Sequence, residues 1–174
     1  INFDISLNKK TYLNRITISG NTRTQDEVIR REIGVTEGGL YSRSILKKSL
    51  LNLRRLGYFS DVQISTSEVE GMNDKIDINF NVEETQTGAI SFSMSHSNNY
   101  GVSFGAGIQE KNIFGSGNTL NAELKISKSF NKVSFFFMNP NFNDEGHSLS
   151  IGAFKSEIDN DDIAKDSFEI DSTG

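Results

Sequence analysis

After Gly88 the chain alternates apolar and small polar residues through three successive stretches, and that period of two restricts what it can fold into. Ile90, Phe92 and Met94 stand between Ala89, Ser91, Ser93 and Ser95. Val102, Phe104, Ala106 and Ile108 alternate with Ser103, Gly105, Gly107 and Gln109, and Leu120, Ala122, Leu124 and Ile126 with Asn121, Glu123, Lys125 and Ser127. Successive side chains of a strand point to opposite faces, so each stretch makes a strand with one apolar and one wetted face. Long strands of this kind in succession have the pattern of a transmembrane β-barrel wall. The pattern predicts about five strands, at 88–97, 101–110, 118–129, 132–139 and 147–156, made antiparallel by short connections such as Asn98-Asn99. In the fourth, Val133, Phe135 and Phe137 face lipid, and Pro140, which has no amide to donate, marks its end. Phe114, Phe130 and Phe142 are candidates for the aromatic girdle at the membrane interfaces. Five strands cannot close, so their lipid-facing side chains and two edges stay open.

The residues before Gly88 read differently. Residues 1–87 hold 12 Lys/Arg and 12 Asp/Glu, whereas 88–174 hold 6 and 11, so the whole net charge of -5 lies in the second half. Ten of the 13 phenylalanines also follow Gly88. No basic patch with interleaved aromatics occurs, which excludes nucleic acid as the expected partner. No apolar run approaches the roughly 20 residues of a membrane helix, a test that does not bear on barrel strands of about 10 residues. The absence of cysteine suits a chain that crosses an oxidising compartment unfolded. Because the chain starts in mid-pattern at Ile1-Asn2-Phe3-Asp4-Ile5 and stops at Asp171-Ser172-Thr173-Gly174, we expect it to be a piece of a longer protein.

The first half predicts a small αβ module. A strand from about Tyr12 to Ser19 places Tyr12, Ile16 and Ile18 on one face and ends at Gly20-Asn21. Thr24-Gln25-Asp26-Glu27 has the form of a capping box, and the short helix after it buries Val28, Ile29 and Ile33. Ser42 is placed to cap a second helix reaching Leu56, with Leu46, Leu50 and Leu53 as its buried stripe and Gly57 as its left-handed cap. A strand at about Phe59–Ser67, a loop at Glu70-Gly71-Met72-Asn73 and a strand at Lys75–Glu83 complete the order β-α-α-β-β. Ile76, Ile78, Phe80 and Val82 line the buried face of the last strand. Two helices then cover one face of a three-stranded sheet with exposed edges, in an α+β arrangement.

Five motifs in this order carry a family resemblance: Gly20-Asn21-Thr22-Arg23-Thr24, Val28-Ile29-Arg30-Arg31-Glu32, Glu37-Gly38, Leu53-Arg54-Arg55-Leu56-Gly57-Tyr58-Phe59 and Val82-Glu83-Glu84. Together they closely resemble a POTRA domain. Glu83-Glu84-Thr85-Gln86-Thr87-Gly88, followed by alternating strands, resembles the junction of the last POTRA domain with the barrel in BamA-type outer-membrane insertases. Asn112-Ile113-Phe114-Gly115-Ser116-Gly117 and Asn139-Pro140-Asn141-Phe142 continue the likeness. The resemblance implies the end of a preceding POTRA unit at 1–10, a POTRA domain at 11–85 and the N-terminal portion of a sixteen-stranded transmembrane barrel at 86–174. It further implies an outer-membrane location with the POTRA part in the periplasm, and as partners unfolded outer-membrane protein clients, accessory lipoproteins and the lipid bilayer.

In that family the first barrel strand pairs loosely with the last, and client strands add to its edge. Here the edge comprises Ala89, Ile90, Ser91, Phe92, Ser93, Met94 and Ser95, whose serines are small and tolerate a shifted register. The pattern alone also fits an ordinary wall strand lining a wet lumen. A second candidate edge is the polar strand Ser60–Ser67, with Val62, Gln63, Ile64 and Ser65 at its centre; it either receives unfolded substrate or is an inert solvated edge. Glu37 matches the family's loop near the accessory lipoprotein, or is a plain surface turn. A POTRA-and-barrel secretion transporter, of the two-partner or the translocation-and-assembly type, is the alternative function.

Catalysis finds no foothold. His96 and His147 are isolated, no metalloprotease or nucleophile motif occurs, and Gly115-Ser116-Gly117 lacks the lysine of a phosphate loop and reads as a tight turn. Glu83 and Glu84 are strand neighbours and point to opposite faces. The acidic stretch of 157–171 is expected to be a solvated external loop rather than a calcium site, since it lacks the glycine an EF-hand turn requires. No cofactor or metal is expected, and the chain is not expected to be an enzyme.

Overall fold

A computed structural model describes residues 10–98, 101–143, 145–159 and 169–173; the expected end of a preceding unit at 1–10 therefore lies almost wholly outside the described residues. The chain divides into two compact units, Ile1–Thr85 and Gln86–Gly174.

In the first unit the elements are β1 (Tyr12–Ser19), α1 (Asp26–Arg30), α2 (Arg43–Leu56), β2 (Phe59–Val69) and β3 (Met72–Glu84). The sheet runs β1-β3-β2, with β1 parallel and β2 antiparallel to the central strand. Val28, Ile29, Leu46 and Leu53 of the helices join Leu13, Ile16, Val62, Ile78, Phe80 and Val82 of the sheet in one buried cluster, with Leu50, Ile64 and Ile76 packed at its margin. Full burial of such side chains stabilises by roughly 1.5–3 kcal/mol each, which is what holds a sheet this small against two short helices.

Local detail corrects three expectations. The buried face of β1 starts at Leu13, not Tyr12, because an irregularity between Leu13 and Ile16 shifts the register and breaks the period of two. The N-cap of α1 is Gln25 and receives no side-chain hydrogen bond, so Thr24 is not the capping residue. Ser42 does stand at the N-cap of α2, but its hydroxyl pairs with that of Ser44 at 3.0 Å instead of capping an amide. Gly57 closes α2 at φ 71, the left-handed conformation expected of it. The β2–β3 strands run further than expected and meet at Glu70-Gly71, with Gly71 at φ 77 supplying the turn.

The second unit is an antiparallel meander of β4 (Gly88–Ser97), β5 (Gly101–Ile113), β6 (Asn118–Ser127), β7 (Phe130–Asn139), β8 (Leu149–Asp159) and β9 (Glu169–Thr173), paired in chain order. The five expected strands are present, and β9 adds a short sixth. Its pairing with β8, including Ile158 opposite Ile170, corrects the reading of 157–171 as one loop. Residues 160–168, which carry most of the acidic run, lie outside the described residues. Among the described residues the sheet is open, with β4 its first strand, paired with β5, and β9 its last.

Candidate functional site: a free strand edge

Antiparallel register sets the two faces of β4 against β5. On one face Ile90 lies opposite Ile108, Phe92 opposite Ala106 and Met94 opposite Phe104. Rows continue this face through Ala122 and Phe135 to Ala153, and through Leu124 to Val133. Ile90, Phe92 and Met94 are 69%, 83% and 72% exposed, so nothing in this unit covers the apolar face. Phe92, Met94, Leu124 and Ile126 border a shallow groove over Ala106.

On the other face Ser91 lies opposite Gly107, Ser93 opposite Gly105 and Ser95 opposite Ser103. The hydroxyls of Ser95 and Ser103 stand 2.6 Å apart. A Cβ on Gly107 would come within 2.8 Å of the Ser91 hydroxyl, and one on Gly105 would overlap that of Ser93. The serines thus lean over β5 where it carries no side chain, and the two strands lie close on this face.

The remaining property of β4 concerns its backbone. An antiparallel pair uses the N–H and C=O of alternate residues, and an edge strand points the other half outward. Among the described residues Gly88–Ser97 pairs along its whole length with β5 and lies first in its sheet. All seven expected gate residues, Ala89 to Ser95, sit on it.

The first unit has two edges, and they differ. The β1 edge is covered by the segment after Val35. The Leu13 amide donates to the Gly39 carbonyl at 2.8 Å, Gly38 donates to Leu13 at 2.7 Å, and Tyr41 donates to Thr11 at 2.8 Å. Glu37 completes the cover: its carboxylate accepts the Ile16 amide at 2.9 Å, while Arg30 donates to the Ile16 carbonyl at 3.2 Å. Glu37 is therefore engaged in bracing the irregular stretch of β1 and is not a plain surface turn. Sequence reasoning missed this cover.

The β2 edge carries Val62, Gln63, Ile64 and Ser65 as expected, with Val62 and Ile64 turned to the core and Gln63 and Ser65 exposed. Its first outward groups are occupied by side chains. Asp61 accepts the Val62 amide at 2.8 Å, Arg54 donates to the Val62 carbonyl at 3.3 Å and to Asp61 at 3.2 Å, and Gln63 donates to Asp61 at 2.8 Å. Hydrogen bonds from Gln63 and Val62, with Arg54 alongside, hold the Asp61 carboxyl below the usual range.

Glu84 at the end of β3, named from the sequence only within a family motif and a dismissed carboxylate pair, has a structural task. Its side chain is 6% exposed and accepts the amides of Thr22 at 3.1 Å, Arg23 at 2.9 Å and Thr24 at 2.6 Å. Burial disfavours its charge, but hydrogen bonds from Thr24, Thr22 and Arg23 outweigh that and hold its pKa at about 2. The threonine taken for a helix cap serves this carboxylate instead. Gly20 permits the close approach, at φ 89, since a Cβ there would overlap the Val82 carbonyl.

No constellation for covalent chemistry forms among the described residues. His96 is paired opposite Val102 on β4, and His147 lies beyond β7 against Asn143 and Glu145. Asn112-Ile113-Phe114-Gly115-Ser116-Gly117 is a tight turn: Asn112 accepts the Gly117 amide at 2.7 Å, and Phe114, Gly115 and Gly117 have φ 52, 71 and 73.

Comparison with known proteins agrees with this geometry. Residues 11–85 match the POTRA family, described as a surface antigen variable number repeat. The chain is 34% identical over 151 residues to the outer membrane protein assembly factor BamA of Neisseria meningitidis serogroup B, covering 87% of this chain and 19% of that protein. The crystal structure of BamA from Haemophilus ducreyi lacking POTRA domains 1–3 superposes with a TM-score of 0.83 at 27% identity, over 95% of this chain and 31% of the other. CdiB from Acinetobacter baumannii shares the fold, with a TM-score of 0.59 at 18% identity over 86% of this chain and 29% of the other. Residues 11–85 are thus a POTRA domain, and the whole chain, which spans about a fifth of the length of the BamA relative, is similar to a stretch of BamA that carries such a domain followed by antiparallel strands.

Proposed function

We infer that the protein containing this chain assembles outer-membrane β-barrel proteins by templating, with no covalent step. The single observation that carries the reading is β4, the ten-residue strand that directly follows the POTRA domain, with one exposed apolar face and one face of small polar residues. An unfolded client in the bilayer must satisfy every backbone group, because hydrocarbon offers none in return. The edge Ala89–Ser95 supplies those partners to one client strand, and each strand so added presents a new edge to the next. Burial of the client's own apolar surface and completion of its hydrogen bonds drive the reaction, so no nucleotide or cofactor is required.

The partners are unfolded outer-membrane clients, the lipid bilayer against the Ile90–Phe92–Met94 face, and accessory lipoproteins. Residues 11–85 form the periplasmic POTRA domain, and the strands after Gln86 belong to the barrel. Phe114 and Phe142, 89% and 60% exposed, lie in turns at the end of the sheet where the chain enters at Gly88, and suit an aromatic girdle on the periplasmic side. Glu37, whose Oε1 is taken by Ile16, offers its second oxygen to a cationic group of an accessory partner. The relatives bear the names of assembly factors, not of enzymes. The secretion-transporter reading has the shared fold in its favour and no feature of β4 that distinguishes it.

Proline removes an amide donor, so prolines at alternate positions from Ile90 to Met94 in the full-length protein test the template. Client assembly into the outer membrane is expected to collapse while the variant protein itself is still inserted. Normal client assembly would refute the reading.

A further inference from the structure

Neighbouring strands of the second unit differ in how firmly their side chains fix the register. In β6 and β7, Leu124 lies opposite Val133 and Glu123 opposite Ser134. A step of two residues would set Leu124 against Asn131 in one direction and Glu123 against Phe136 in the other, so that pair fits one alignment. β4 and β5 are less particular. A step of two residues keeps each side chain on its own face and each ladder group pointing at its partner strand, because both properties alternate with period two. Displacing β4 by two residues toward Gly101 brings Ile90 opposite Ala106, Phe92 opposite Phe104 and Met94 opposite Val102 on the apolar face. On the polar face Ala89 meets Gly107, Ser91 meets Gly105, Ser93 meets Ser103 and Ser95 meets Gly101. Gly105 then offers Ser91 the bare backbone that Gly107 offers it in the described register. Ser93 takes the place of Ser95, whose hydroxyl stands 2.6 Å from that of Ser103. The ladder keeps its length: His96 and Ser97 leave it, while the polar residues Gln86 and Thr87 come opposite Glu110 and Gln109. The opposite step sets Ile90 against Glu110 and His96 against Phe104 and finds no such match.

We propose that β4 occupies two registers against β5, the one described and a second displaced two residues toward Gly101. The step moves β4 about 7 Å along its neighbour. Glycine-rich strands with small polar residues specify register weakly, and this pair sets serines against Gly105 and Gly107. The side chains that change partners on the other face are exposed, so the step disturbs no packed core. The connection from β4 to β5 lengthens from three residues to five, another common hairpin length. The use of the step rests on the template reading of β4. A client strand paired with β4 is carried the same distance relative to β5, so one edge serves client strands that enter at two heights.

The test is disulfide capture in the full-length protein in liposomes, first without a client. Ser91→Cys is combined in turn with Gly107→Cys, Gly105→Cys and Gln109→Cys. Directly opposed residues are within disulfide reach and residues two places off are not. The expected result is capture with position 107, which reports that the strands are paired as described, and substantial capture with position 105, with position 109 at background. Capture with 107 alone, or equal capture with 105 and 109, the mark of fraying without direction, would overturn the second register. The use of the step is tested with Ala89→Cys/Gln109→Cys, whose disulfide holds the described register. With a urea-denatured outer-membrane barrel precursor as probe, the oxidised protein is expected to assemble it several-fold more slowly than the same protein after reduction. Equal rates would overturn the use of the step, and since the rate of the reduced protein reports templating by itself, the two readings fail separately.

Discussion

The two units of this chain are built inside out with respect to each other. In the POTRA domain Phe80 is 0% exposed at the centre of the core; in the barrel unit Phe92 is 83% exposed on the terminal strand. Among the described residues, every buried hydrophobic side chain lies between Leu13 and Val82, whereas the buried polar side chains of the second unit are Ser103, Asn112 and Ser129. Both units are sheets, and the same period of two runs through each. The difference lies in the solvent each apolar face meets: a layer of helices in one, hydrocarbon in the other. A sheet whose apolar face is completed by lipid has no need of a second layer.

Four substitutions can break or sharpen that contrast. The largest effect is expected from Phe80→Ala, which should cost about 3–5 kcal/mol in the unfolding of the POTRA domain. Phe92→Ala should cost under about 1 kcal/mol in detergent, because the ring buries little against protein. Urea unfolding of full-length variants measures both, and equal costs would contradict the comparison. Next, Leu124→Arg on the apolar face of β6 should destabilise the bilayer-inserted barrel by about 2–4 kcal/mol. Ser91→Arg on the opposite face should cost far less, as read by folding titrations into vesicles.

The third effect depends on pH. The Glu84 carboxyl is held at about 2 against an ordinary 4.5, so its contribution is fully present above about pH 4.5 and is lost as pH falls toward 2. The shift corresponds to at most about 3 kcal/mol. The urea midpoint of the POTRA transition should therefore fall between pH 5 and pH 3, and Glu84→Gln should lower the midpoint at pH 7 and flatten that pH dependence. The smallest effect is expected at Ser95→Ala, which breaks the hydroxyl pair with Ser103 and should cost about 0.5–1.5 kcal/mol, measured by the same vesicle titration.

Periodicity made the strands legible, and it did so in both units because each has one consistently apolar face. The POTRA element order, the buried face of β3 and the Gly57 cap were likewise readable from residue types at fixed spacing. Three things were not. The irregular register of β1 moved Leu13 into the core, and no residue type marks such a shift. The short strand β9 was hidden by acidic neighbours, since pairing through Ile158 and Ile170 leaves little alternation to detect. The roles of Thr24 and Glu84 depend on partners distant in sequence, since the two are 60 residues apart when they meet, and those of Arg54 and Asp61 on the α2–β2 turn that brings them together. For the candidate site, the alternation located β4, and the register against β5 added which residues face Gly105, Gly107 and Ser103.

The most direct test of the account captures the template in the act. Single cysteines are walked along Ala89–Ser95 in the full-length protein and paired with cysteines walked along the last strand of a client, a design helped by the absence of native cysteine from this chain. Neighbouring strands bring paired Cα atoms to about 4.5–5.5 Å, within disulfide reach, while a pair two residues out of register falls beyond it. The account predicts disulfides along a single diagonal of position pairs during assembly, and background yield when the same cysteines are moved to the interior strand β6. Scattered capture without a register, or equal capture at β6, would contradict it.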